Sequence, residues 1–147
     1  LITQRCAIAF LFAIETAMRA GEICALKWEN IHVDRRIAHV AQSKNGHPRD
    51  VPLTKRAIAL LEKLRPIDPI SVFKIQAHSL DVLFRRARDN CGITDLHFHD
   101  SRREALTRLS KKVPVETLAK ISGHRSLNIL LNVYYRPDMA EIADMLD

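Results

Sequence analysis

Apolar residues recur at helical spacing near the start of the chain, where Ile8, Leu11, Phe12 and the polar Glu15 predict a largely buried first helix from Thr3, its N-cap, to about Ala17. A second helical pattern covers about 19–28 and sets Ile23 and Leu26 on one side, with Arg19 and Glu22 three apart on a common face. The period then changes. Ile31, Val33, Ile37 and Val40 alternate among polar residues around Asp34-Arg35-Arg36, which predicts a short hairpin. The turn signal Ser43-Lys44-Asn45-Gly46 leads into a further short strand from Arg49 to Leu53, so a small antiparallel sheet is expected.

Helical spacing returns at Ile58, Leu61 and Leu64, with Thr54 as N-cap and Pro66 as the stop. The segment 65–78 has no legible period. Ser79 is expected to cap a helix carrying Leu80, Leu83, Phe84 and Ala87, with Gly92 just past its end. Further helices are expected from Asp100 or Ser101 (Ala105, Leu106, Leu109), from Pro114 to Gly123, from Ser126 towards Pro137 (Ile129, Leu130, Val133), and from Met139 to Leu146. There is no internal repeat or low-complexity tract. The pattern predicts one α+β domain over 1–147, mainly helical with a small antiparallel sheet.

Composition agrees: 147 residues with 47% hydrophobic and 27% charged positions suit a globular domain and exclude disordered, collagen-like and coiled-coil chains. The longest apolar run, Cys6 to Ile14, falls well short of the roughly 20 residues that a membrane-spanning helix needs. Three widely spaced cysteines without a CxxC pair argue against a disulfide framework or a cysteine zinc site, and a reducing cytoplasm is expected. The chain opens on Leu1 without a signal-peptide pattern, so it reads as part of a longer protein. Charge changes the picture more. With 23 Lys+Arg against 17 Asp+Glu, a net charge of +6, the chain suits a polyanionic partner.

Polar residues gather at the ends and turns of the expected elements, in the order Ala17-Met18-Arg19-Ala20-Gly21-Glu22, Ser43-Lys44-Asn45-Gly46, His99-Asp100-Ser101-Arg102, Ser122-Gly123-His124-Arg125-Ser126 and Tyr134-Tyr135-Arg136-Pro137. In order and approximate separation these motifs resemble the catalytic domain of a tyrosine recombinase of the phage integrase family, over nearly the whole chain. The resemblance implies cutting and rejoining of double-stranded DNA through a 3′-phosphotyrosyl intermediate with release of a 5′-hydroxyl. It also implies no metal or other cofactor, self-association as a tetramer on paired DNA sites, a bacterial or phage source, and a separate N-terminal DNA-binding domain outside this chain.

The chemistry of the residue types can be set beside that resemblance. Phosphoryl transfer needs a nucleophile in line with the leaving oxygen and cations around the non-bridging oxygens. Arg19 and Arg102 suit the clamp, since guanidinium presents a planar fork to phosphate and stays charged. Glu22 suits the orienting of an arginine. Lys44, ahead of Lys55 and Lys74, is placed to protonate the leaving oxygen, and its position before Val51-Pro52-Leu53 follows the family's strand, turn and strand. His99, three residues before Arg102, suits proton relay, and His124 suits a hydrogen bond to the phosphate. His97 and His99 form an HxH pair, but no third ligand stands at diagnostic spacing, so no metal is expected. His32, His39, His47 and His78 match no motif.

Each residue alone also has a plainer reading: an ion pair of Arg19 with Glu22, a solvated face for Arg102, an exposed hairpin lysine, a helix cap at His124, and packing aromatics at Tyr134 and Tyr135. The nucleophile departs from the pattern. The family tyrosine usually stands nine residues after the Gly-His histidine, which here is Val133. Tyr134 is the expected nucleophile, with the extra residue absorbed near 128–133, and Tyr135 is the alternative; one residue turns a helical side chain by about 100°, so only one of them can point at a given phosphate. Ala17, where the family often has glycine, is expected to tighten the turn before Arg19. The alternative functions are a type IB topoisomerase-like activity, a non-catalytic DNA-binding relative and a metal-dependent nuclease.

Overall fold

The computed structural model describes residues 2–41 and 47–147; the turn that holds Lys44 lies outside the described residues. Along the chain come α1 (Ile2–Thr16), α2 (Ala20–Cys24), a single 3-10 turn (Trp28–Asn30), β1 (Ile31–His32), β2 (Ile37–Val40) and β3 (Arg49–Pro52). They are followed by α3 (Lys55–Glu62), α4 (Ala77–Asn90), α5 (Asp100–Ser110), α6 (Val115–Ser122), α7 (Leu127–Tyr134) and α8 (Met139–Leu146). The expected α+β class and the order of elements hold.

Helix α1 buries Cys6, Ala9, Phe12, Ala13 and Thr16, a stripe at 3–4 residue spacing, and packs on α3, α4 and α5. That stripe corrects the expected one: Leu11 faces solvent, and Thr3 sits inside the helix rather than capping it. The helix ends where the Thr16 hydroxyl turns back on the Phe12 carbonyl and accepts from the Met18 amide. The next residue, Ala17, adopts a left-handed φ of 61°, a conformation that costs a residue with a Cβ about 1–2 kcal/mol. This is the position at which the resemblance expects glycine, and the turn leads the chain into α2.

The three strands form an antiparallel sheet in the order β1-β2-β3, with Ile31 opposite Ala38, Ala38 opposite Val51, and Val40 opposite Arg49. Ala38, Val40, Val51 and Leu53 put the apolar face of the sheet into the core. Thr54 caps α3 by accepting from the Ala57 amide, as expected. Helix α2 is shorter than the pattern over 19–28 suggested, because the chain turns at Leu26 to pair with the segment 68–72. There Trp28 receives the Ile70 carbonyl on its amide and gives its indole N–H to the Asp68 carbonyl, the Val72 amide reaches the Leu26 carbonyl, and Arg65 stacks 4.1 Å over the Trp28 ring. The segment without a legible period is therefore an ordered strap whose Val72, Phe73 and Ile75 are buried.

Helix α4 begins at Ala77, two residues before the expected Ser79 cap, and Gly92 follows it with a left-handed φ of 69°. A main core is built from α1, the sheet, α3, the strap and α4, where Phe10, Phe84 and Phe98 pack as a ring cluster. A smaller core joins Ala17 to α5, α6 and α7 through Ala105, Leu106, Leu118, Ala119 and Leu130. Of α7 only Leu130 is buried; Ile129 and Val133, expected on the same face, are exposed. Helix α8 buries no residue. No helix among the described residues is long and apolar enough to cross a membrane.

Candidate active site

Polar residues at the ends of α2, β3, α5 and α6 meet where the two cores adjoin. Arg102 sits in the first turn of α5 and is 3% exposed. Its Nη1 donates to the Ala17 carbonyl and its Nη2 to the Ser122 carbonyl at 2.8 Å, with the His124 Nδ1 at 3.4 Å. The left-handed turn at Ala17 thus aims a carbonyl at a buried guanidinium. A guanidinium carries five N–H groups, so Arg102 keeps donors for a ligand after these contacts. Burial pulls its pKa down to about 10, helped by the Arg19 and Arg49 charges and opposed by Glu22 and Tyr134.

Arg19 immediately precedes α2. Its amide donates to Glu22 Oε1 at 2.9 Å, its guanidinium stays 3.8 Å from Glu22 Oε2, and its side chain is 33% exposed. The plainer reading of an Arg19–Glu22 ion pair is present only as this long contact. Glu22 is held closely by a residue the sequence reading passed over. Arg49 donates from Nη1 to Glu22 Oε2 at 2.6 Å, from Nη2 to Glu22 Oε1 at 2.9 Å and from Nε to the Ile121 carbonyl at 2.9 Å. Burial alone would raise the Glu22 carboxyl, but the Arg49 hydrogen bonds, the Arg19 amide and both guanidinium charges hold it below the usual carboxylate range. A signal for Arg49 was available: it shares the inward face of β3 with Val51 and Leu53, an unusual register position for an arginine.

His124 follows Gly123, whose left-handed φ of 80° ends α6 as expected. Its Nδ1 lies 2.6 Å from the Ser122 hydroxyl. Burial together with the Arg102, Arg19 and Arg49 charges pulls its pKa down to about 4, so near neutral pH the ring is uncharged. With Nδ1 accepting from the Ser122 hydroxyl, the ring proton resides on Nε2, which then serves as a donor. His99, at the N-terminal boundary of α5, lines one small cleft of about 160 Å³ with Arg19 and Arg102. Its pKa is lowered by burial and by Arg102 and Arg19. A wider cleft of about 500 Å³ lies on the His124 side, lined by Arg49, Lys120, Gly123 and Arg125. Three guanidiniums and two imidazoles around one carboxylate make this junction a site for an anion.

The two tyrosines differ. The Tyr135 hydroxyl donates to the Val113 carbonyl at 2.8 Å, and burial together with Glu116 raises its pKa. Tyr134 points elsewhere: it lines a cleft with Asp95, Asp100, Arg103, Glu104 and Thr107. Lys44 lies outside the described residues; Lys55 opens α3 on the surface, and Lys74 pairs with Asp68 at 3.1 Å in the strap. His97 is exposed and gives its amide to Asp100. Among the described residues no group of three or more His, Cys, Asp or Glu is arranged to hold a metal ion.

Comparison with known proteins bears on the family and the fold. The profile of the phage integrase family matches residues 2–141. A Haemophilus influenzae protein named as a candidate integrase/recombinase is 57% identical over 145 residues, which are 97% of this chain and 48% of that protein. The shufflon-specific DNA recombinase of Escherichia coli is 44% identical over 125 residues, 84% of this chain and 33% of its own. Among solved structures, the Tn1549 transposon integrase in complex with transposon right end DNA superposes with a TM-score of 0.83 at 16% identity, covering 98% of this chain and 60% of that one. The chain spans about half the length of the first of these relatives, or less.

Proposed function

The chain belongs to the phage integrase family, and from that premise we propose that it is the strand-cutting and rejoining domain of a tyrosine-type site-specific DNA recombinase. The observation that carries the reading is the buried Arg102, tied to Ala17 and Ser122 and flanked by Arg19, His99 and His124 in a site of positive potential. A scissile phosphate entering there meets Arg19 and Arg102 as a clamp on its non-bridging oxygens, where charge grows in the transition state. His124 donates from Nε2 to the same oxygens. His99, exposed at the edge of the cleft, relays a proton, and Lys44 protonates the leaving 5′-oxygen.

The attacking group is the Tyr134 hydroxyl. Its oxygen bonds to phosphorus as the bond to the 5′-oxygen breaks, leaving a 3′-phosphotyrosyl link; attack by a 5′-hydroxyl reverses the step and frees the phenol. A protonated phenol is a weak nucleophile and needs cations around the phosphate it attacks, a part the clamp arginines would supply. Tyr135 has its hydroxyl committed to Val113 and an acidic neighbour in Glu116, which disfavours it. No step calls on a metal. The partner is double-stranded DNA, reached in a bacterial or phage-infected cytoplasm, and strand exchange between two duplexes needs four copies on paired sites. The relatives, about twice as long as this chain, have room for a separate N-terminal domain that grips the duplex.

The test uses the full-length protein with nicked duplexes taken from the DNA flanking its gene, in EDTA, and looks for an SDS-resistant protein–DNA adduct. The expected result is an adduct in wild type and Tyr135→Phe and none in Tyr134→Phe. Loss only in Tyr135→Phe would move the nucleophile by one residue. Tight DNA binding with no adduct in any form would overturn the enzymatic reading, and EDTA-sensitive cleavage would point to a nuclease.

A further inference from the structure

Arg49 stands outside the motifs that carry the family resemblance, yet its side chain makes three hydrogen bonds within the site. Its side chain is 8% exposed and that of Glu22 is 4% exposed, so both charges have left water. Such a pair is costly unless its geometry is good and its remaining donors are used. Here both carboxylate oxygens accept from two guanidinium nitrogens, and the third nitrogen reaches the Ile121 carbonyl at the end of α6. Gly123 shows how tightly the group is enclosed: a Cβ there would stand 3.0 Å from Arg49 Nη1 and 3.1 Å from its Cζ.

The consequence lies in how Glu22 divides its oxygens. Arg19 and Arg49 both approach this carboxylate, and a carboxylate accepts one bidentate guanidinium well. Arg49 takes that place, so the Arg19 guanidinium stays at 3.8 Å, loosely paired and partly exposed, with its amide alone hydrogen-bonded to Glu22. Without Arg49, the Glu22 carboxylate would be left buried with Arg19 as its nearest cation. The two would close on each other, and the clamp would lose its mobile arm to an internal ion pair.

We propose that Arg49 is a positioning residue for the phosphate clamp: by saturating Glu22 and holding it to the Ile121 carbonyl, it keeps the Arg19 guanidinium available to an anion. This rests on the reading of Arg19 and Arg102 as the clamp. It assigns to the start of β3 a part in setting the clamp.

The test measures binding of inorganic phosphate to the full-length protein by calorimetry, with Arg19 Nε–H followed by NMR, in wild type, Arg49→Gln, Arg49→Lys and the double variant Glu22→Gln/Arg49→Gln. Thermal unfolding accompanies each form. Loss of one charge-assisted contact corresponds to roughly a tenfold weaker Kd in Arg49→Gln, with the Arg19 Nε–H resonance shifted into a paired position. Arg49→Lys keeps the charge but reaches fewer partners, so an intermediate, about threefold loss is expected, and this variant serves if Arg49→Gln does not fold.

The double variant removes the competing carboxylate and is expected to bind phosphate within about threefold of wild type. A merely structural Arg49 would give no such recovery. Wild-type affinity in folded Arg49→Gln or, where only it folds, in Arg49→Lys would overturn the proposal; so would a double variant that folds but stays as weak as the single one, or a wild-type protein that does not take up phosphate at this site. If wild type binds phosphate but forms no covalent adduct with DNA, the proposed recombinase activity fails while this series still decides the role of Arg49.

Discussion

The cation centre and the C-terminal helices are built in opposite ways. Arg102 and Arg49 are buried arginines that each bind groups from separate elements, Ala17 with Ser122 in one case and Glu22 with Ile121 in the other. Helix α7, which carries Tyr134, touches the rest through one fully buried side chain, Leu130, and α8 through none. Preorganised charge costs no rearrangement when the reaction needs it, which favours a rigid clamp. A helix with few buried contacts opens at low free energy, which suits the proposed function, in which its tyrosine advances on and withdraws from a phosphate.

The strongest way to break this contrast is Arg102→Ala. Two buried carbonyls lose their donor, so unfolding free energy is expected to fall by about 3 kcal/mol in a urea titration, and adduct formation by about 10³-fold in a single-turnover assay. Comparable stability and activity would mean that the centre is not preorganised around Arg102.

Leu130→Ala probes the other region. A cavity at the one buried position of α7 is expected to cost about 2–3 kcal/mol. Hydrogen exchange should show that loss in α7 while the α1 and α5 amides keep their protection.

The neutral His124 sharpens the contrast through pH. Its folded pKa, about 4, lies below the unfolded value of 6.5, so between these limits the unfolded chain binds the extra proton. The contribution is complete above 6.5 and is lost as pH falls towards 4. Since the ring is half-exposed, solvent screening reduces the effect to on the order of 1 kcal/mol. His124→Asn is therefore expected to flatten the dependence of Tm on pH in that window. At the small end stands Met145→Ser with Leu146→Ser, at residues 78% and 81% exposed, which should change unfolding by less than about 0.5 kcal/mol.

Much of the site was legible because its parts are local. Arg19 and Glu22 announce themselves by helical spacing, His99 and Arg102 by their place at a helix start, and Gly123 by ending a periodic segment before a histidine. The strap over 68–75 was not legible, since its buried Val72, Phe73 and Ile75 pack by long-range pairing with Leu26 and Trp28 and leave no period to read. The buried face of α7 was misjudged for a related reason. Ile129 and Val133 have the right spacing, but no neighbouring element lies there to cover them.

The amino-acid sequence by itself determined the element order, the α+β class and the cationic groups, because propensity, capping and period act between residues close along the chain. Only the tertiary structure decided the partnerships across the site: which cation Glu22 holds and which carbonyls Arg102 spans. Those choices depend on distances between residues 20 to 85 positions apart and on the removal of water from between them, and neither is written in local sequence.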